Sequence, residues 1–156
     1  MSYALNHTFI ASDHHFGSLF NNKEKEDEWI YKWNSIVDPS DVVIYNGDFC
    51  DSIVVDLCEY AKKLNGAITL VKGNHDHLPD SIYQAIFSNV VDEMYMPELN
   101  LVIHHIPTKT TFNQIYGHLH RGEIIGPLDK AHNFCSCVQA NDGYPISLEH
   151  ILLSFK

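Results

Sequence analysis

One apolar run that stops at a glycine constrains this chain more than any other stretch. Residues Ala67-Ile68-Thr69-Leu70-Val71 read as a buried strand, and Lys72-Gly73-Asn74-His75-Asp76 follow it directly. Glycine permits a turn that a Cβ would block, and Pro79 opens the next element. An amide, an imidazole and a carboxylate therefore stand at the carboxyl end of a strand, which is where open α/β sheets bind ligands. Alone, the stretch fits an ordinary polar turn equally well, because Gly, Asn and Asp are turn formers. Repetition separates the two readings.

The pattern recurs along the chain. Residues 8–12 form a strand leading into Asp13-His14-His15-Phe16-Gly17, and residues 41–46 form another that stops at Gly47-Asp48. Residues 99–104 end at His105-Ile106-Pro107, and residues 113–116 run into Gly117-His118-Leu119-His120. Between the early strands, Trp29, Trp33, Ile36 and Val37 share one helical face, with the charges of residues 23–28 as its solvated face. Further helices are expected over 52–64, stopped by Asn65-Gly66, and over 79–87. Then the rhythm changes. Residues 90–96 and 99–104 read as two strands of a hairpin joined at Pro97-Glu98, and 133–139 as another strand. Residues 147–155 fit a closing helix or a strand. Strand–helix alternation followed by strand-rich sequence implies one α/β domain over 1–156, a sandwich with a mixed sheet.

Five polar motifs just past apolar strands point to a single site along one sheet edge. Eleven histidines, several beside aspartates, supply its chemistry. In extended backbone, residues two apart face the same way, so Asp13 and His15 are expected to share an ion, and His118 and His120 to reach one cleft. Imidazole, carboxylate and amide oxygen suit manganese, iron, cobalt, nickel or zinc, and no motif offers a thiolate. The ligands outnumber those of one closed zinc site. Two divalent ions sharing a carboxylate would use them all and activate a water for in-line phosphoryl displacement. The formal net charge of −10 disfavours an extended nucleic-acid track. The four cysteines lack Cys-x-x-Cys spacing, and Cys135 and Cys137 are expected as small apolar filling on one strand face. With no secretory signal at Met1–His7 and no bilayer-spanning apolar run, the expectation is a cytoplasmic protein without a membrane partner.

The ordered set D-x-H, G-D-x-x-D, G-N-H-D, H-x-P and G-H-x-H, from Asp13 to His120, resembles the calcineurin-like metallophosphoesterase family. Ser12-Asp13-x-His15-Phe16-Gly17 and the tail Asn141-Asp142-Gly143-Tyr144-Pro145-Ile146-Ser147-Leu148 are similar to its small bacterial and phage branch. The resemblance implies a four-layer αββα sandwich of two mixed sheets flanked by helices. It also implies Asp13, His15 and His120 on one metal, Asn74, His105 and His118 on a second, and Asp48 bridging them. His75 would be the general acid that protonates the leaving oxygen, oriented by Asp51, and manganese is the foremost metal. Asn74, His75 and Arg121 are the expected substrate contacts; Arg121 fits a phosphate-binding role and a solvated one equally. The chain departs from the phosphoprotein phosphatases at Ser52-Ile53, where they carry Arg-Gly, and from its own branch at His14 and Ser18. His14 and His104 are expected to be non-ligands, Asp76 to bond backbone, and Lys72 to be a surface lysine.

The resulting expectation is a dinuclear metal-dependent phosphoesterase, a phosphodiesterase or small-nucleotide hydrolase acting on a small phosphorylated substrate. The competing readings are a phosphomonoesterase or nuclease of the same family, and a non-catalytic scaffold that retained the fold.

Overall fold

Strands β1 (Thr8–Ala11), β2 (Val42–Tyr45) and β3 (Ala67–Val71) are apolar on both faces, so the sheet they build must be covered twice. The computed structural model, which describes residues 3–120 and 130–156, shows both covers. One face packs Ala11, Val43, Tyr45, Ile68 and Leu70 against Trp29, Trp33, Leu57, Tyr83 and Phe87 from the helices. The other packs Ile10, Ile44 and Val71 against Leu101, Ile103 and Ile115 of a second sheet.

The first sheet runs β4-β3-β2-β1-β9, with β4 Asn89–Val91 and β9 Ile146–Ser147. β1 to β4 are parallel and β9 is antiparallel to β1. The second sheet runs β5 (Met94–Met96), β6 (Leu101–Ile103), β7 (Asn113–Tyr116) and β8 (Asn133–Cys135). Only its β5–β6 pair is antiparallel. Helices α1 (Lys23–Ile36), α2 (Val54–Lys63) and α3 (Asp80–Ile86) contribute to the first core, and α4 (Leu148–Ser154) places Leu148 and Ile151 in the core between the sheets. Among the described residues the architecture is a mixed α/β sandwich of two mixed sheets with four α-helices, consistent with the αββα order. Among the described residues no helix is long and apolar enough to cross a membrane.

Several expectations change. The run 90–96 is two strands in different sheets: β4 extends the first, Asp92-Glu93 carry the chain across, and β5 starts the second. The hairpin survives only as β5–β6, closed by a 3₁₀ turn at Pro97–Leu99. The strand expected over 133–139 stops at Cys135, because Val138–Ala140 form a 3₁₀ turn whose Val138 N–H reaches Ser12 O at 3.0 Å. The ambiguous 147–155 segment is helical, with Ser147 as the N-cap accepting from His150 N–H. Glu26 does not belong to a solvated face. It is buried, accepting the Gly17 N–H at 2.8 Å and the Tyr60 hydroxyl, so α1 anchors the loop that follows Asp13-His14-His15.

Candidate metal centre

Each motif begins where a strand ends, and the backbone there is unusual. Among the described residues seven non-glycine residues have positive φ, and five of them are Asp13 (61°), His15 (46°), Asp48 (58°), His118 (67°) and His120 (27°). Left-handed backbone is uncommon for such residues and clusters at functional sites. It also corrects the expectation of extended backbone. Asp13 with His15, and His118 with His120, converge through tight turns beyond β1 and β7 and not through strand alternation.

The turns are packed to contact with the side chains they present. A Cβ on Gly47, itself at φ +90°, would lie 2.4 Å from His105 Nδ1; one on Gly73 would lie 2.2 Å from Asp48 Oδ1. Only glycine fits either position without displacing a candidate ligand.

Two clusters of donor atoms result, Asp13–His15–His120 and Asp48–His105–His118, with each cluster's atoms within 4.8 Å of one another. Asp13 Oδ1 lies 3.8, 3.9 and 3.6 Å from the Nε2 atoms of His15, His105 and His120. Asp48 Oδ2 lies 3.5 Å from His15 Nε2 and 3.0 Å from His105 Nε2, between the two clusters. Asn74 Oδ1 is 3.0 Å from His118 Nδ1. His75 Nδ1 is 3.2 Å from Asp51 Oδ1, and His75 also closes a third cluster with His15 and Asp48. Arg121 lies outside the described residues.

The donor set fits divalent cations. Among the described residues, His15 Nε2 and His105 Nε2 are buried with no well-aligned hydrogen-bond partner, although Asp48 Oδ2 stands 3.5 and 3.0 Å from them. On each ring the opposite nitrogen is engaged: His15 Nδ1–H donates to Asp51 at 2.9 Å, and His105 Nδ1–H to Asn46 O at 2.7 Å. That arrangement fixes the tautomer and leaves Nε2 as a lone pair for a metal.

Electrostatics agree. Burial opposes charge on Asp13, yet hydrogen bonding with His15, the charge of His105, and Ser12 and Cys137 hold its carboxyl at about 2. Asp48 is also lowered: burial works against it and His105 and the His75 N–H prevail. Burial opposes the charge on His15, but Asp13, Asp51 and Asp48 carry it up to about 9; His105 is raised in the same way against its burial by Asp48 and Asp13. His120 is lowered, by burial first. The carboxylates thus stay ionised at neutral pH and draw protons onto His15 and His105, protons a divalent cation would displace.

The other histidines sort by packing. His104 Nε2–H donates to Gln114 Oε1 at 2.6 Å, away from the carboxylates. His14 is buried, stacked on Phe16 at 4.8 Å, with Nδ1 2.8 Å from the Tyr45 hydroxyl. Asp76 binds backbone, accepting from Gly73, Asp48 and Phe49 N–H at 2.7, 2.8 and 3.2 Å.

Reading by sequence missed the supports. Asn46 Nδ2 donates to His104 O at 2.9 Å and, more weakly, to Ile115 O, joining the sheets beneath the site. Cys137, expected only to fill space, donates its thiol to Asp13 Oδ2 at 3.2 Å beside the Ser12 hydroxyl. The one available signal was a fully polar Asn46 at the end of an otherwise apolar strand.

No family model and no curated protein matches the chain. Among solved structures, the protein of unknown function AQ665 from Aquifex aeolicus superposes with TM-score 0.70 and 22% identity, over 92% of this chain and 96% of its own. The Pseudomonas putida nuclease MPE superposes with TM-score 0.53 and 20% identity, over 74% of this chain; the match spans 62% of the nuclease. At such identities the likeness is one of fold.

Proposed function

We propose that this chain is a metal-dependent phosphoesterase of the calcineurin-like kind, with Asp13, His15 and His120 holding one divalent ion, Asn74, His105 and His118 holding another, and Asp48 bridging them. The observation that carries the reading is the pair of buried Nε2 atoms with no well-aligned hydrogen-bond partner, facing two ionised carboxylates. The fold shared with a Pseudomonas nuclease supports it. Bound there, manganese or a similar ion would make water a nucleophile at neutral pH and offset charge on the phosphoryl oxygens.

The chain's own residues supply the rest. Asp48 presents Oδ2 to both clusters while Oδ1 accepts the His75 N–H at 2.8 Å, which fixes its carboxylate plane. Asp51 spans His15 Nδ1 and His75 Nδ1, so it aligns a candidate ligand and the candidate general acid together. With Nδ1 held on Asp51, His75 Nε2 is left to carry the proton for the leaving oxygen. His75 is 48% exposed at its side chain, open to a substrate while Asp51 holds its Nδ1.

A small phosphodiester is the favoured substrate, because the net charge of −10 repels a long polyanion. The test is one panel: bis(4-nitrophenyl) phosphate, a dinucleoside monophosphate, a phosphomonoester and a single-stranded oligonucleotide, each with added manganese. Asp48→Asn should lose metal by elemental analysis. His75→Ala should keep metal and lose roughly 10²–10⁴ in kcat on the dinucleoside monophosphate, and less on the nitrophenyl ester, whose leaving group needs no proton. A scaffold would hydrolyse nothing in the panel, and loss of metal in His75→Ala would make His75 a ligand.

A further inference from the structure

A cavity of about 520 Å³ opens at the candidate metal ligands, lined by His15, His75 and His120 together with Phe20, Asn21 and Lys25. Its size lies within the roughly 300–1,000 Å³ of small-molecule sites, enough for one nucleotide and far too little for a duplex. Phe20 is 97% exposed, an aromatic face with nothing packed on it. A single exposed aromatic is ordinary on a protein surface, but one that borders a cavity shared with a metal-capable cluster offers a nucleobase a sequence-tolerant stacking face.

The platform is fixed relative to the site. Asn21 Nδ2–H donates to His14 O at 3.0 Å and His15 O at 2.9 Å, Ser18 N–H donates to His15 O at 3.0 Å, and buried Glu26 accepts the Gly17 N–H. The loop carrying Phe20 is therefore bonded to the backbone of a candidate ligand. Lys25, in the first turn of α1, brings an ammonium to the cavity lining, where it rests 4.9 Å from the centroid of the Trp29 ring. His75 borders this cavity and a second one of about 310 Å³ lined by Cys50, Leu57 and Tyr83, but only the larger of the two also meets His15 and His120, so the oxygen His75 protonates, and whatever it carries, is placed there.

We propose that the cavity is a nucleoside subsite, in which the base of a nucleoside leaving group stacks on Phe20, Lys25 attracts the anionic phosphate that joins it to the rest of the substrate, and its ester oxygen lies at His75. This rests on the phosphoesterase reading and names the substrate class: a small nucleotidyl phosphodiester.

The probes are adenosine monophosphate and inorganic phosphate, bound to the metal-free and the manganese-loaded protein by calorimetry. Phe20→Ala should weaken adenosine monophosphate binding about tenfold and leave phosphate binding unchanged. Phe20→Trp should restore it, and Lys25→Gln should weaken it less and flatten its salt dependence. Exposure of Phe20 makes misfolding of these variants an implausible explanation of any loss. Wild-type protein that does not bind the nucleotide, or Phe20→Ala that binds it like wild type, overturns the subsite. Hydrolysis of a dinucleoside monophosphate is measured separately. Phe20-dependent binding without hydrolysis keeps the subsite and sinks the enzyme reading; hydrolysis with Phe20-independent binding does the reverse.

Discussion

Asp13 uses its two oxygens differently. Both accept the His118 N–H, at 3.2 and 3.1 Å, but Oδ2 also takes the Ser12 hydroxyl and the Cys137 thiol, while Oδ1 faces three imidazole nitrogens between 3.6 and 3.9 Å away. Donors on one oxygen fix the rotation of the carboxylate and so the direction of the other, and groups that orient a ligand are commonly worth about 10–100-fold in metal affinity. Cys137→Ala removes the S–H without overpacking the buried site, and differs from Cys137→Ser only in lacking a donor. Manganese affinity, read by calorimetry, should fall by about tenfold in Cys137→Ala, while Cys137→Ser, which keeps a donor, should fall less. Equal loss in both would point to packing and not to the hydrogen bond. The candidate ligands were legible because each is a polar side chain directly after an apolar run. Cys137, Ser12 and Asn46 were not. They matter through hydrogen bonds across 124 residues in Cys137–Asp13 and 58 in Asn46–His104, and no local pattern marks such distances.

At the level of elements, long periodic segments were readable and crossings were not. Trp29 and Trp33 announced α1, and the apolar run of β3 needed no context. The break between β4 and β5 lay inside one apparently continuous strand, because two acidic residues look alike whether they face water on a strand or carry the chain between sheets. Glu26 escaped notice because charge on a helix is usually solvated, and only the folded loop brings Gly17 N–H and the Tyr60 hydroxyl to it. The turns after β2 and β3 show what such buried acids do. Asp76 gathers Gly73, Asp48 and Phe49 N–H groups, clasping the Gly73-Asn74-His75-Asp76 turn onto Gly47-Asp48. Burial pushes its carboxyl upward, and those three bonds only partly compensate. Asp76→Ala would orphan buried donors at a cost of about 1–3 kcal/mol each. Urea unfolding should show a loss of at least about 2 kcal/mol. Hydrogen exchange should accelerate at Asp48 and Phe49 before it does in β1. Unchanged exchange at those amides would mean the turns hold together without the clasp.

For the molecule as a whole, stability should respond to pH through a histidine that lies outside the candidate metal clusters. His14 lies beneath α1, stacked on Phe16 and edge-on to Trp29 at 5.3 Å, and burial drives its imidazole down to about 3. An unfolded histidine titrates near 6.5. Between those values the unfolded chain binds a proton that the folded chain refuses, so stability falls as pH drops below 6.5, with a slope approaching about one proton. His120, lowered by burial, adds in the same sense. His15 acts oppositely. Its imidazole is raised to about 9, so in the metal-free protein its contribution is complete below 6.5 and is lost as pH climbs from there to about 9. The metal-free chain should therefore be most stable near neutrality and weaken on both sides, while saturating manganese should remove the alkaline decline, because the ion replaces the proton on His15. The acid limb is tested between pH 6.5 and 5, where ordinary carboxylates, titrating near 4, remain ionised in both states. His14→Phe fits the aromatic cluster and cannot titrate. It should lower stability at pH 7 by about 1–3 kcal/mol, since the Tyr45 hydroxyl keeps the residue-14 N–H but loses the imidazole as its acceptor, and should lose most of the acid slope. Urea midpoints of both proteins across that window decide the matter: parallel slopes would place the titrating group elsewhere.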